Sequence, residues 1–331
     1  MKRALFAILA ILFFSVMLLA ACSNTPENEA GEEAARAEKS QHSAETEENS
    51  AFPVTVTDAI GEEMTFEKAP ERIVSLIPSN TEIAYALGLG EQIVGVSDYD
   101  NYPEEVLEKE KVGGLELNVE AILGLEPDLV LAHESGLNST QEALEQIKDA
   151  DIPVFVAADA QNIESTYEVI EQIGAITGKT SEADEVILTM KEQFAELEEL
   201  TAEIPEEEQK AVFFEVSPAP DIYTAGTNTF FDELLRIIHA KNAAAELDGW
   251  VQIDPEKVVE LNPDVIVTTY GFYEEDATGG VLRREGWESI KAVKNEAVYD
   301  VHSDIVSRPG PRLAEGAKEL AQVVYPELFK E

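Results

Sequence analysis

The chain has 331 residues, a formal net charge of −44 and 44% apolar residues. This length and apolar content suit two lobes, each with its own core. The acidity excludes nucleic-acid binding, which needs a basic footprint, and electrostatic attachment to anionic lipid; it reads as a solvated surface suited to salty or alkaline surroundings.

At the N-terminus, basic Lys2 and Arg3 precede an apolar run from Ala4 to Ala20, and Leu19-Ala20-Ala21-Cys22 places small residues before a cysteine. Charge, apolar core and small-residue junction are the order of a signal peptide. A transmembrane anchor is the competing reading, because the run is near the roughly 17-residue lower limit for a span. The cysteine at the junction decides for a lipoprotein signal over 1–21. Cys22 then becomes the lipidated first residue, and the chain is expected to be exported and lipid-anchored to the outer face of the cytoplasmic membrane. Loss of Lys2 and Arg3 takes the charge from −44 to −46. No second cysteine exists, so intramolecular disulfides, cysteine catalysis and cysteine metal sites are excluded. Residues 22–51 are rich in Glu, Ala, Ser and Asn and, up to Ser50, hold no aromatic. Such a segment buries too little to offset its ordering entropy and reads as a disordered acidic tether.

From 52 to 178 the pattern alternates. Strand-like runs at Val54–Val56, Ile73–Leu76, Ile93–Val96, Leu129–Ala132 and Val154–Val156 are separated by helical patterns at Thr81–Leu87, Val119–Leu125 and Ser139–Ala150. The Asp58-Ala59-Ile60-Gly61 turn before Met64–Phe66 predicts a hairpin. Alternation of strand and helix predicts parallel sheets with helical crossovers. Ser181–Glu203 has no Gly or Pro and carries Val186, Met190, Phe194, Leu197 and Leu200 at helical spacing, which predicts one long rigid helix, with its flanks 179–205. Beyond it, 206–331 resumes the alternation at Val212–Val216, Val265–Thr269 and Val298–Val301. The expected fold is α/β: two Rossmann-like lobes with parallel-rich sheets, joined by that helix, with a cleft between them.

An internal repeat supports two lobes of one design. The stretch from Asn118 to Leu131 matches the stretch from Asp254 to Val267. Each has an N-cap residue, Asn118 or Asp254, a short amphipathic helix, a Pro-Asp turn and a buried strand. Glu120 and Glu256 fall in the first helical turns, where the dipole favours a carboxylate. Beyond that capping role, they are expected to be matched acidic knobs for a partner with two-fold symmetry.

Four stretches carry a resemblance. They are Arg72 to Glu82, Val94 to Tyr99, the repeat, and His302-Ser303-Asp304-Ile305-Val306-Ser307-Arg308-Pro309-Gly310-Pro311-Arg312. On these the chain, from Phe52 onward, resembles the long-hinge-helix solute-binding proteins of ABC importers for iron-siderophores, haem and cobalamin. The run Ser97-Asp98-Tyr99-Asp100-Asn101-Tyr102-Pro103 is most similar to members that bind vitamin B12. The resemblance implies ligand contacts at Tyr99, Tyr223, Trp250 and Asp304, permease contacts at Glu120 and Glu256, and modest lobe closure. It also implies an ABC permease dimer with its ATPase subunits as partner, and a monomer in solution. Leu115 and His133 stand where such members have further tryptophans. Cobalamin is the first expected ligand and a ferric siderophore or haem the alternative; no resident cofactor or metal is expected, the ligand itself being the chelate.

Two site residues are read from their own chemistry. Arg308 suits an anionic siderophore or a phosphate or amide of cobalamin, against a plain salt bridge. His133 and His302 each follow a strand, where loops meet ligand, and either could approach a bound metal, against an ordinary loop histidine. His239, in the helical Phe230–Ala240 segment, reads as packing or surface, and His42 lies in the tether. No Gly-x-Ser-x-Gly elbow, phosphate loop or His-Glu-x-x-His helix is present, so the expectation is a binding protein and not an enzyme. An exported hydrolase is the rival from another class, and turnover of an ester or glycoside would reveal it.

Overall fold

Asp58 sets the first turn. Its carboxylate accepts from the amides of Ile60 (3.1 Å) and Glu62 (2.8 Å), and Gly61 takes a φ of 82°. The turn closes the expected antiparallel hairpin of β1 (Val54–Thr57) and β2 (Glu63–Phe66), with Val54 opposite Phe66. The computed structural model describes residues 52–330; the signal peptide, Cys22 and the tether, 22–51, lie outside them.

The first lobe then runs β3 (Ile73–Ser75), α1 (Pro78–Ala86), β4 (Ile93–Val96), β5 (Glu110–Lys111), α2 (Val119–Gly124), β6 (Leu129–His133), α3 (Leu137–Asp149), β7 (Val154–Ala157) and α4 (Ile163–Thr177). Its sheet has the order β5-β4-β3-β6-β7, with all pairs parallel. β6 and β7 are buried at every position, as continuous Val/Leu/Phe/Ala runs must be when helices cover both faces. α5 (Thr180–Thr201) follows.

The second lobe runs β8 (Ala211–Glu215), β9 (Tyr223–Ala225), α6 (Phe230–Ile237), β10 (Lys241–Asn242), β11 (Trp250–Gln252), α7 (Pro255–Leu261), β12 (Val265–Thr268), α8 (Ala277–Leu282), α9 (Lys291–Lys294), β13 (Val298–Asp300), α10 (Ser303–Ser307) and α11 (Leu313–Val324). Its main sheet is parallel, in the order β10-β8-β12-β13, and β9 pairs β11 as a separate antiparallel ribbon. In both lobes the strand order reverses beside the first strand of the main sheet, β3 or β8. Ligands of such sheets bind at the carboxyl ends of the strands near that switch.

α5 packs on α4 from the first lobe and on α6 and α11 from the second. Ile170 and Ile173 of α4, Met190 and Phe194 of α5, Leu235 of α6 and Leu320 of α11 belong to one apolar cluster. The joining helix is therefore part of a core shared by both lobes, so moving one lobe against the other must disturb close-packed contacts. The stripe differs in part from expectation. Leu200 is 41% exposed and Val186 only partly buried, while Ala183, Ile187 and Thr201 face the core. A straight helix turns at 3.6 residues, and contact with helices on two sides shifts the buried face along its length.

The repeat explains the Pro-Asp turns. Asp128 accepts from the amides of Glu71 (2.9 Å) and Arg72 (2.8 Å), and Asp264 accepts from Ala211 (3.0 Å). Each aspartate thus pins the start of the lobe's central strand to the start of its neighbour. Asn118 caps α2 by accepting from Ala121, whereas Asp254 makes no side-chain cap, which corrects that expectation. Pro255 at the first position already removes one orphan amide there. α6 ends at Ile237, short of the expected Ala240, and His239 lies beyond it at φ 51°.

Candidate ligand-binding cleft

The exposed aromatic side chains gather at the carboxyl ends of the strands. In the first lobe Tyr99 lies just past β4 and is 55% exposed. Gly114 sets its ring: a Cβ built there would stand 2.7 Å from the Tyr99 ring, so the bare backbone is what allows so close an approach. Next to Gly114, Leu115 is 71% exposed.

The second lobe answers with the ribbon. Trp250 pairs with Ala225 and Gln252 with Tyr223, so Tyr223 and Trp250 project from the same face as diagonal neighbours. Each is 43% exposed. The Trp250 ring stands edge-on to Phe231 at 5.2 Å, and Phe231 stacks on Phe214 at 4.2 Å. The indole is thus held against the core while part of it stays open. Three residues make a strand too short for periodicity to detect, which is why β9 and β11 escape the sequence pattern.

Charged groups join the two lobes beside Tyr99. Glu82, buried on α1, accepts from Arg308 (2.6 Å) and twice from Arg312 (2.7 and 2.8 Å). Arg308 also donates to Asn101 (3.0 Å) and pairs with Asp304 (2.9 Å), and Asn101 donates to Asp304 at 2.8 Å. The Arg312 guanidinium lies 3.9 Å from the Tyr102 ring centre, a cation–π contact. Burial works against the charge of Arg312, but Glu82 outweighs it and holds the group above its usual range. Arg308 and Asp304, both expected to touch ligand, are thus engaged in a bridge between lobes two residues from Tyr99.

A second buried network underlies the second lobe. Glu215, at the end of β8, receives two bonds from Arg284 (2.6 and 2.7 Å) and one from the Tyr270 hydroxyl (2.5 Å). Desolvation and the Glu215 charge push the Tyr270 hydroxyl far above the usual phenol range. Arg284 lies 4.1 Å from the Trp287 ring centre. Glu82, Arg312, Glu215 and Arg284 had no assigned role in the sequence. The signal for the first pair was present, as an acid and the spacing Arg308-Pro-Gly-Pro-Arg312 inside the stretches that carry the family resemblance.

His133 ends β6 and is 7% exposed. The Ser135 amide points at its Nδ1 (3.3 Å) and the Ser135 hydroxyl lies 2.8 Å away. Burial lowers its pKa, against the opposing pull of Asp159 and Glu134, and its Nδ1 orders its own loop. His302 caps α10 by accepting from Asp304. His239 packs, its Nδ1 2.9 Å from the Thr201 hydroxyl and its carbonyl accepting from Tyr325. Glu120 and Glu256 are exposed in the first turns of α2 and α7. Among the described residues, no group of His, Cys, Asp and Glu is arranged to hold a metal ion.

Comparison with known proteins bears on the family and the fold. The model of the periplasmic binding protein family matches residues 73–305. An uncharacterized ABC transporter substrate-binding lipoprotein of Bacillus subtilis is 46% identical over 330 residues, spanning 100% of this chain and 99% of that protein. A cobalamin-binding protein of Halobacterium salinarum is 29% identical over 297 residues, 86% of this chain and 77% of its own length. Among solved structures, a possible iron-binding, periplasmic solute-binding protein of Staphylococcus epidermidis superposes with a TM-score of 0.72 at 40% identity, covering 78% of this chain and all of that one. A haem-binding protein of Roseiflexus gives 0.69 at 26%, covering 78% and 99%. The vitamin B12-binding protein of Vibrio cholerae gives 0.64 at 25%, covering 79% and 99%.

Proposed function

Because the chain belongs to the periplasmic binding protein family, and is thus the substrate-binding component of an ABC transporter, we propose that it captures cobalamin outside the membrane and delivers it to a permease. Members of the family are transport proteins and not enzymes. The observation that carries the ligand is the placement of Tyr99, Tyr223 and Trp250, half-exposed rings at the strand ends of two facing lobes. A corrin is broad and partly apolar. Open aromatic faces give it burial and stacking, with a few polar groups for orientation.

Titration of the purified protein with cyanocobalamin, haemin and a ferric hydroxamate tests the reading. Trp250→Ala is expected to weaken cobalamin binding by ~1–3 kcal/mol, the scale of one lost aromatic contact and its area. Failure of the parent to bind cyanocobalamin, with capture of haemin or the hydroxamate, would transfer the prediction to that ligand. A second reading, ferric siderophore or haem, draws on the iron-binding description of the 40%-identical structure. It also draws on the smaller ring area around Leu115 and His133.

Capture is proposed to occur at the membrane surface, with Cys22 carrying the lipid. The Leu19-Ala20-Ala21-Cys22 junction supports this, as does the lipoprotein description of the Bacillus relative. Cys22→Ala is expected to leave the precursor uncut or shift the protein out of the membrane fraction. Unchanged maturation and partition would exclude the anchor.

A further inference from the structure

Two rings near the cleft are used by nothing described so far. Phe272 is 70% exposed and Tyr273 is 56% exposed. They meet edge to face at 4.7 Å and 85°, and the Tyr273 ring also lies 6.0 Å from that of buried Tyr270. A single exposed aromatic residue is unremarkable, but a rigid pair on an anchored loop is not.

The loop is anchored on three sides. Tyr270 is buried and donates to Glu215. The Gly271 amide donates to Asp300 at 3.0 Å, and the same carboxylate receives the Thr268 hydroxyl at 2.6 Å. The amides of Tyr273 and Glu274 return to the Tyr270 carbonyl at 3.1 and 3.0 Å. A Cβ built at Gly271 would stand 2.2 Å from the Asp300 carboxylate, so a larger residue there would displace the group that holds the loop.

Strand register places the pair. Thr268 of β12 aligns with Glu215 of β8 and with Asp300 of β13. The Val216 amide, one residue past Glu215, donates to the Tyr223 carbonyl at 2.9 Å. Tyr223 lies on one side of the Phe272 loop, and the strand leading to Asp304 lies on the other. All three stand at the carboxyl edge of one sheet, next to its switch point.

We propose that Phe272 and Tyr273 form a further aromatic contact of the ligand site, lying against the apolar outer surface of a metal chelate from the second-lobe side. The inference rests on the metal-chelate reading of the cleft. A T-shaped pair offers one ring face and one ring edge, and so a broad apolar contact area, to a ligand.

The test titrates the full mature chain and its variants with cyanocobalamin, haemin and ferrichrome. The double variant Phe272→Ala, Tyr273→Ala is expected to bind whichever probe the parent takes about 10-fold more weakly, with an unchanged melting temperature because both rings are exposed. Phe272→Trp with Tyr273→Phe is expected to keep parent affinity. Leu188→Ala, an equally exposed apolar residue on the joining helix, is expected to change nothing. A double-alanine variant that binds as tightly as the parent overturns the contact and leaves the cleft reading standing. Loss of affinity accompanied by a matching loss of melting temperature overturns it too, because the rings would then be structural. A parent that binds none of the three probes overturns the metal-chelate reading, and the contact with it.

Discussion

Glu82→Ala is expected to destabilise the folded protein by about 3 kcal/mol, the low end of the range for breaking a buried ion pair. Glu82 has a side-chain exposure of 3% and faces two arginines at 14% each. Removing it leaves Arg312 in the seam between lobes without a counter-charge, and Arg308 with Asp304 alone. Their partial contact with water moderates the cost. The loss should appear as a lower midpoint in urea unfolding of the purified protein. Glu82→Ala in an Arg308→Ala, Arg312→Ala background should cost far less, because no charge is then orphaned. Ligand affinity should fall in the single variant, since the bridge presets the lobe angle beside Tyr99 and a loosened cleft must be ordered on binding. A midpoint within the error of the parent would show that the bridge is energetically idle.

Reversing both exposed acids, Glu120→Arg with Glu256→Arg, is expected to abolish transport while leaving ligand affinity within a few fold. The two residues occupy equivalent places in the repeat, each exposed in the first turn of a short helix. They are proposed to meet basic sockets, one on each half of a permease dimer. Charge-assisted carboxylate–guanidinium bonds are strong and directional, and loss of a buried interface partner costs about 2–5 kcal/mol. Each single reversal should give an intermediate defect. The capping role predicts a different result, since an acid in a first helical turn contributes only about 0.3–1 kcal/mol to stability. Uptake in cells, measured beside ligand affinity and melting temperature, separates the two. Normal uptake by the double reversal would leave capping as their only role.

The difference between these two predictions follows what each level of description makes visible. Glu120 and Glu256 are legible in the sequence because they are local: a repeated cap, short helix and Pro-Asp turn place them without knowledge of the fold. The same holds for the buried strands β6, β7, β8 and β12, whose unbroken apolar runs need cover on both faces, and for the hairpin at Asp58 to Gly61. The long joining helix is legible because 22 residues from Thr180 to Thr201 sample its period several times over.

What the sequence left open is non-local. Glu82 and Arg308 stand 226 positions apart, and no pattern within a window can join them. Their pairing exists only because α1 and the segment leading into α11 are brought to one seam by a core that runs through α5. Arg308 therefore carries two readings as a sequence and one set of partners as a structure. The ribbon of β9 and β11, which turns Tyr223 and Trp250 onto one face, is three residues deep on each side and has no period to read. Phe272 and Tyr273 look like ordinary loop residues until the register of β12 against β8 and β13 sets them at the sheet's carboxyl edge. Sequence determined the class of the molecule and the identity of its elements, because propensity, capping and hydrophobic period act over a few residues. Tertiary structure alone decided which charges are spent holding the lobes and which rings stay open, because both depend on distances across the cleft that chain order does not encode.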